Sequence, residues 1–189
     1  MQSETSELLE VFREVGRGED MSYILNEELR LVRTSAAWEA FATDNGGQGM
    51  LATWGRGASV LDAISGPLRA YYEAGFAQAL RANMPWSHEY ECSSADEYRS
   101  FRMLAYPFSG FLVVTHTPGV VRLHDRPVAS PNETYFEDGV LTMCSECRRA
   151  RHPLQERWDW VPAFVAALPA RVNHDLCPSC ALWYWRPTM

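Results

Sequence analysis

The sequence lacks the features that would direct a protein into or across a membrane. No run of residues approaches the roughly 20 apolar positions that a bilayer-spanning helix requires. The N-terminus, Met1-Gln2-Ser3-Glu4, is acidic and has no apolar segment of the kind found in signal peptides. We therefore expect a cytoplasmic protein with no membrane contact, in a compartment where thiols stay reduced.

The chain also lacks an excess of positive charge. Its 189 residues include 17 Lys and Arg against 24 Asp and Glu, a formal net charge of -7. Nucleic acids are bound by clustered Lys and Arg, so this balance argues against nucleic-acid binding, including binding as a DNA-reading zinc finger. A single basic stretch, Arg148–His152, is interpreted as a solvated face whose cations favour the charged form of nearby thiols.

Motifs of catalysis are missing as well. The sequence contains no phosphate-binding glycine loop, no kinase signature and no G-x-S-x-G motif. His116, His124 and His152 have no acid or nucleophile at an informative spacing. We therefore expect that the protein is not an enzyme.

Cysteine is scarce, but its spacing is informative. Four of the five cysteines form two C-x-x-C pairs, Cys144 with Cys147 and Cys177 with Cys180, separated by residues 148–176. A tight turn brings thiolates at positions i and i+3 to the same side, and a second pair completes a tetrahedron around zinc. The pattern favours a zinc site over a disulfide framework and leaves Cys92 alone.

His174 lies three residues before Cys177 and has two possible roles at such a site. It could replace one cysteine as a ligand, or donate a hydrogen bond to a thiolate from outside the ligand set. Four cysteines already close a tetrahedral site, which then has no open position for water or substrate. We therefore expect a structural zinc site.

Hydrophobic patterning divides the chain into four segments. Residues 1–18 contain a short amphipathic helix over residues 5–15, residues 118–140 form a proline-containing linker, and residues 141–189 form the cysteine module. Residues 19–117 read as one α+β domain with a hairpin around Asn26-Glu27-Glu28. Its other predicted elements are a helix capped by Ser35, a short helix over 59–64, a longer helix over 67–83, and strands over 86–92, 98–108 and 111–117.

This order of elements resembles a PAS domain. The residues that carry the resemblance are 23–32 leading into 35–41, the turn at 57–62, Phe101-Arg102-Met103 and the strand 111–117. The resemblance implies a five-stranded antiparallel sheet with helices on one face, and a small pocket that senses a ligand or light, or a domain that only dimerises. The implied pocket residues, for which plain core packing is the alternative, are Phe41, Leu61, Ile64, Phe76, Leu80, Phe101, Met103 and Val113.

The cysteine module resembles a short tail that follows PAS domains in some bacterial signalling proteins. That tail has a C-x-x-C followed by basic residues, a Trp-containing helix and an H-x-x-C-x-x-C; the matching positions are Cys144, Cys147, Arg148, Arg149, Trp158, His174, Cys177 and Cys180. The resemblance implies signal transduction as a homodimer, with a small-molecule ligand or a signalling protein as partner.

Two cofactors of PAS domains are not expected here. Haem-binding members place a histidine on the long helix, and residues 67–83 contain none; flavin-binding photosensors carry a reactive cysteine that has no counterpart before His88. His88 and Cys92 share one face of a predicted strand and could touch a ligand, although a buried thiol and a hydrogen-bonded histidine are the commoner explanations. An alternative function is a thiol redox switch, in which oxidation of the C-x-x-C pairs releases zinc.

Overall fold

A computed structural model describes residues 20–45 and 55–185, together with Glu10. The predicted helix at 5–15, and the segment 1–18 that contains it, lie outside the described residues except for Glu10. The chain separates into two compact units. The first takes its described residues from Met1–Ile64, Tyr72–Glu89 and Phe101–Pro118, and the second from Ser65–Tyr71, Tyr90–Ser100 and Gly119–Met189.

The protein is of the α+β class, as predicted, with two five-stranded sheets. The strands of the first sheet lie in the order β2-β1-β5-β4-β3. They are β1 (Met21–Leu25), β2 (Leu31–Thr34), β3 (Trp86–Glu91), β4 (Glu97–Phe108) and β5 (Phe111–Leu123).

Strand β1 is an interior strand, and it pairs antiparallel with both β2 and β5. All five of its side chains are buried, which is the pattern of a strand covered on both faces. The predicted hairpin is confirmed: Asn26 turns the chain by accepting a hydrogen bond from the Arg30 N–H through Oδ1 at 2.8 Å. The turn also holds Leu29 in a left-handed conformation with φ of 56°.

The helices predicted between β2 and β3 are present. Helix α1 (Ala36–Asp44) is capped by Ser35, whose Oγ accepts hydrogen bonds from the N–H groups of Trp38 and Ser22. A 3-10 helix over Val60–Ala63 is capped by Ser59, and helix α2 runs from Leu68 to Ala82. Local capping residues and 3.6-residue periodicity thus predicted these helices to within one or two residues.

The predicted alternation along β4 is also confirmed. Phe101, Met103 and Ala105 are buried, whereas Arg102, Leu104 and Tyr106 are exposed. Successive side chains of a strand point to opposite faces, so one face of β4 contributes to the core of the first unit.

The segment 118–140, predicted to be a linker, contains regular structure at both of its ends. Strand β5 continues to Leu123, six residues beyond the predicted end at Thr117. Near the other end lie a 3-10 helix (Glu133–Tyr135) and strand β6 (Phe136–Glu137). The Tyr135 side chain is buried in the core of the second unit. Elements of two or three residues are too short to produce a periodic pattern, which is why the sequence did not indicate them.

The second sheet has the order β10-β7-β8-β9, and β6 pairs with β7. Its remaining strands are β7 (Val140–Cys144), β8 (Ala150–His152), β9 (Arg157–Asp159) and β10 (Val172–Asp175). Two short helices belong to the same unit, α3 (Pro162–Ala166) and α4 (Pro178–Tyr184). The pairing of β10 with β7 is parallel, and the pairings of β6 with β7, β7 with β8 and β8 with β9 are antiparallel.

A small apolar cluster forms the core of this unit; its buried members are Tyr135, Leu141, Met143, Ala150, Val161 and Phe164. Within the described ranges, no helix combines the length and the apolar character needed to cross a bilayer.

Candidate metal centre

The structure brings the four predicted cysteine ligands together. The sulfur atoms of Cys144, Cys147, Cys177 and Cys180 all lie within 4.8 Å of one another. The Sγ atoms of Cys147 and Cys177 are 3.7 Å apart. A regular tetrahedron with Zn–S bonds of about 2.3 Å has sulfur–sulfur edges of about 3.8 Å, so the four thiols fit a metal such as zinc.

The first pair of cysteines lies on the turn between β7 and β8. Cys144 is the last residue of β7, and its N–H donates to the carbonyl of Arg149 at 2.8 Å. The Arg148 N–H donates back to the carbonyl of Cys144 at 3.1 Å, with Arg148 in a left-handed conformation at φ 58°. This reversal places the sulfurs of Cys144 and Cys147 on the same side of the turn, as a shared metal requires.

The second pair is delivered by the parallel pairing of β10 with β7. Asp175 lies opposite Cys144 in that register, and its carbonyl accepts the Ser145 N–H at 2.7 Å. Two residues later Cys177 occupies the N-cap position of helix α4, and its own N–H donates to the sulfur of Cys144 at 3.4 Å. Cys180 follows in the first turn of α4 and completes the set.

The four neighbouring thiols shift one another's pKa values. Hydrogen bonds from the neighbouring thiols, led by that of Cys144, lower the pKa of Cys177. The corresponding bonds raise the pKa of Cys147 and of Cys180. Four thiolates this close together require a cation among them, and a metal ion supplies that charge when it displaces the thiol protons.

Arg149 adds a positive charge beside the cluster. Its Nη1 donates to the sulfur of Cys147 at 3.7 Å. The basic stretch Arg148–His152, predicted to be a solvated face, therefore places one side chain in direct contact with the cysteine cluster. Hydrogen bonds of this kind hold a ligand in place and stabilise its charged form.

A buried carboxyl group lies in the turn between β7 and β8, and the pattern of cysteines gave no indication of it. Glu146 is 9% exposed, and it accepts a hydrogen bond from the Glu91 N–H at 2.6 Å and one from the Tyr184 O–H at 2.6 Å. Burial raises the pKa of Glu146 to about 7. Its partners lie far along the chain, so no local spacing could have revealed the site.

An ion pair lies next to this group. Arg126 contacts Glu91 at 2.6 Å through Nη2, and both side chains are 11% exposed. The other terminal nitrogen of Arg126, Nη1, donates to the carbonyl of Cys147 at 3.1 Å. The Arg126 guanidinium thus connects the cysteine turn between β7 and β8 to Glu91 at the end of β3.

His174 lies on β10 opposite Met143, and its side chain is half-buried. Among the described residues, the group of ligand atoms close enough to share a metal consists of the four sulfurs and does not contain His174. The four thiols close the centre without it.

The predicted pocket residues are spread through the first unit. Phe76, Phe101, Met103 and Val113 are buried in its core, and Phe41 is half-buried with its ring centroid 5.7 Å from that of Phe101. Leu61 and Leu80 line an open groove together with Glu27, Glu28 and Glu73. Ile64 is half-buried. A pocket that combines these residues stays a prediction.

His88 packs among aromatic rings in the first unit. Its ring is parallel to that of Trp86 at 6.1 Å and meets that of Tyr72 edge-on at 5.6 Å. Burial lowers the pKa of His88 to about 4, so the ring is neutral at pH 7. Cys92 follows the end of β3 with a half-buried side chain, and its N–H donates to the carbonyl of Arg99.

Comparison with known proteins adds no relative: no model of a known protein family matches the chain, and no curated protein is significantly similar to it. The chemistry of the site therefore follows from its own residues. Four sulfur donors in a closed tetrahedral arrangement select a soft or borderline metal and provide no open coordination position.

Proposed function

We propose that the protein binds one zinc ion through Cys144, Cys147, Cys177 and Cys180, and that this zinc is structural. The observation that carries the proposal is the convergence of four sulfurs within 4.8 Å from two turns that are distant in sequence. The metal holds the β7–β8 turn against the start of helix α4. With all four positions occupied by sulfur, this centre has no place for substrate.

The proposed role of the whole chain is signalling without catalysis. The first unit acts as a PAS-like sensor or dimerisation domain, and the zinc module contacts a partner protein. Support comes from the resemblance of residues 20–117 to PAS domains and from a five-stranded sheet with helices between its second and third strands. A small molecule bound near Leu61 and Leu80 is the corresponding sensory ligand.

Metal content tests the first part of the proposal. Plasma mass spectrometry and native mass spectrometry of the purified full chain should give one zinc per chain and a colourless solution. The double variant Cys144→Ser/Cys177→Ser should hold none, whereas Cys92→Ser, which changes the cysteine outside the cluster, should keep the full content. Zinc-free wild-type protein, or a coloured metal centre, would overturn the assignment.

Association state tests the second part. Light scattering of the full chain over a range of concentrations should give twice the chain mass of 21.5 kDa. A monomer at every concentration would remove the dimerisation role and leave only sensing or partner contact.

A redox switch is the second candidate, favoured by the 3.7 Å approach of the sulfurs of Cys147 and Cys177. Hydrogen peroxide would oxidise two thiolates to a disulfide, and the peroxide would be reduced to water or hydroxide. The zinc ion would then leave. Millimolar peroxide with a zinc-responsive dye separates the candidates. A structural centre keeps its zinc, and a switch releases it and recovers it after treatment with dithiothreitol.

A further inference from the structure

Helix α4 is too short to be stable by itself. It spans seven residues, Pro178–Tyr184. Isolated helices shorter than about 12 residues are marginal in water because nucleation is costly. The conformation of α4 therefore depends on what attaches it to the rest of the second unit.

The first attachment is at the N-terminal end of α4. Cys177 occupies the N-cap position and Cys180 lies in the first turn, and the sulfurs of both belong to the four-thiol group. A metal in that group joins this end of α4 to Cys144 and Cys147 on the turn between β7 and β8.

The second attachment is at the C-terminal end. Tyr184 is 8% exposed, and its hydroxyl donates to Oε2 of the buried Glu146 at 2.6 Å. Its ring also meets the ring of Tyr71 edge-on, with centroids 4.8 Å apart. This contact involves no metal ligand directly, but its acceptor Glu146 lies in the same turn as Cys144 and Cys147 and so depends on that turn staying in place.

The apolar core of the second unit lies outside α4 among the described residues, and the packing of the Tyr184 ring against Tyr71 is one apolar contact that the helix makes. The core cluster of this unit is formed by residues of β7, β8 and α3, by Val161 just before α3, and by Tyr135 of the 3-10 helix, and none of its described members lies on α4. On the outer side of the helix, Leu182 is 70% exposed. The strands of the unit, in contrast, are held by that core and by their own hydrogen-bond pairing.

From these observations we propose that α4 is a metal-dependent latch with two anchors, the metal at Cys177 and Cys180 and the Tyr184–Glu146 hydrogen bond. Loss of the metal removes the first anchor, and α4 then detaches while β7, β8 and β9 stay folded. The latch rests on the zinc centre proposed above. When zinc leaves, α4 is the element that changes. Tyr184 is the positioning residue that sets how readily α4 detaches.

Hydrogen exchange of the full chain, followed by mass spectrometry, tests the first anchor. Samples with zinc are compared with samples treated with a chelator and a thiol reductant. Amides of α4 should exchange roughly tenfold faster after zinc removal, whereas those of β7 and of Val161–Phe164 should change by less than about twofold. Unchanged exchange in α4, or an equal increase throughout the second unit, would overturn the latch.

Tyr184→Phe tests the second anchor, because it removes the hydroxyl and keeps the ring. In zinc-loaded protein this variant should exchange several-fold faster across α4 and release zinc faster to a chelator, with one zinc still bound at the start. Leu182→Ala, an exposed change on the same helix, is the control and should alter neither rate. Wild-type rates in Tyr184→Phe would refute the second anchor.

Native mass spectrometry of the same samples separates the two proposals. Wild-type protein without zinc refutes the zinc centre, and with it the first anchor. Protein that carries zinc but shows no change in α4 after its removal refutes the latch alone.

Discussion

Arg126 and Glu91 form an ion pair at 2.6 Å in which both side chains are 11% exposed. The guanidinium also donates to the carbonyl of Cys147, so the pair adjoins the first cysteine turn. A largely buried pair of this kind is costly to break, because the remaining partner keeps its charge without compensation.

Replacing Arg126 with Met should therefore destabilise the protein by about 3–5 kcal/mol in chemical denaturation. The matched control is Arg102→Met, which breaks the ion pair with Glu89 at 2.7 Å where the side chains are 68% and 59% exposed. An exposed pair contributes less than about 1 kcal/mol, so the control should unfold nearly as the wild type does. Equal effects of the two variants would contradict the role given to burial.

Arg149→Gln should weaken the affinity of the cysteine cluster for zinc. The substitution removes the hydrogen bond from Nη1 to the sulfur of Cys147 and the positive charge beside the thiolates. Interactions just outside a ligand set typically change metal affinity by about 10–100-fold. Zinc transfer to a competing chelator should accelerate accordingly, while Arg151→Gln, two residues further along on β8, should transfer zinc at the wild-type rate. Identical rates for both variants would show that Arg149 does not act on the centre.

Acid should destabilise the first unit through His88. Burial lowers the pKa of His88 from an ordinary value of 6.5 to about 4, so between these pH values the unfolded chain binds a proton that the folded protein does not. The stability that neutral His88 provides is complete above pH 6.5 and is lost as the pH falls toward 4. The loss is at most about 3 kcal/mol, since one pKa unit corresponds to about 1.4 kcal/mol.

The measurement is the free energy of unfolding at several pH values for the wild type and for His88→Gln. Two other acid effects are common to both proteins and cancel in the comparison. One is the release of zinc, and the other is the titration of His116, because burial also lowers the pKa of His116 to about 4. The wild type should lose more stability than the variant over this range. Parallel curves would exclude His88 as the group responsible.

Gly75→Ala should destabilise helix α2 even though Ala is the better helix former. A Cβ at position 75 would overlap the indole ring of Trp86, which itself packs edge-on against Phe76 at 5.3 Å. Overpacking of this kind costs about 1–3 kcal/mol, more than the roughly 1 kcal/mol gained in helix propensity. Thermal unfolding of the variant should begin at a lower temperature. A stabilised variant would mean that Trp86 moves aside without cost.

Local patterns in the sequence determined most of the helices and strands and the four candidate ligands. Ser35 and Ser59 cap the predicted helices, the hairpin forms at Asn26, and alternation along β4 separates buried from exposed positions. Each of these features depends on residues a few positions apart, which is the range over which periodicity and capping act. The spacing of two C-x-x-C pairs is informative for the same reason.

Tertiary structure alone decided how the candidate centre is enclosed. Glu146 accepts hydrogen bonds from Glu91, which is 55 residues away, and from Tyr184, which is 38 residues away. The parallel pairing of β10 with β7, and the structured ends of the segment 118–140, likewise have no short-range signal. A glutamate between two cysteines looks like a surface residue in the sequence. Only the packing of distant segments makes it a buried acceptor, because burial and its hydrogen-bond partners are properties of the folded chain.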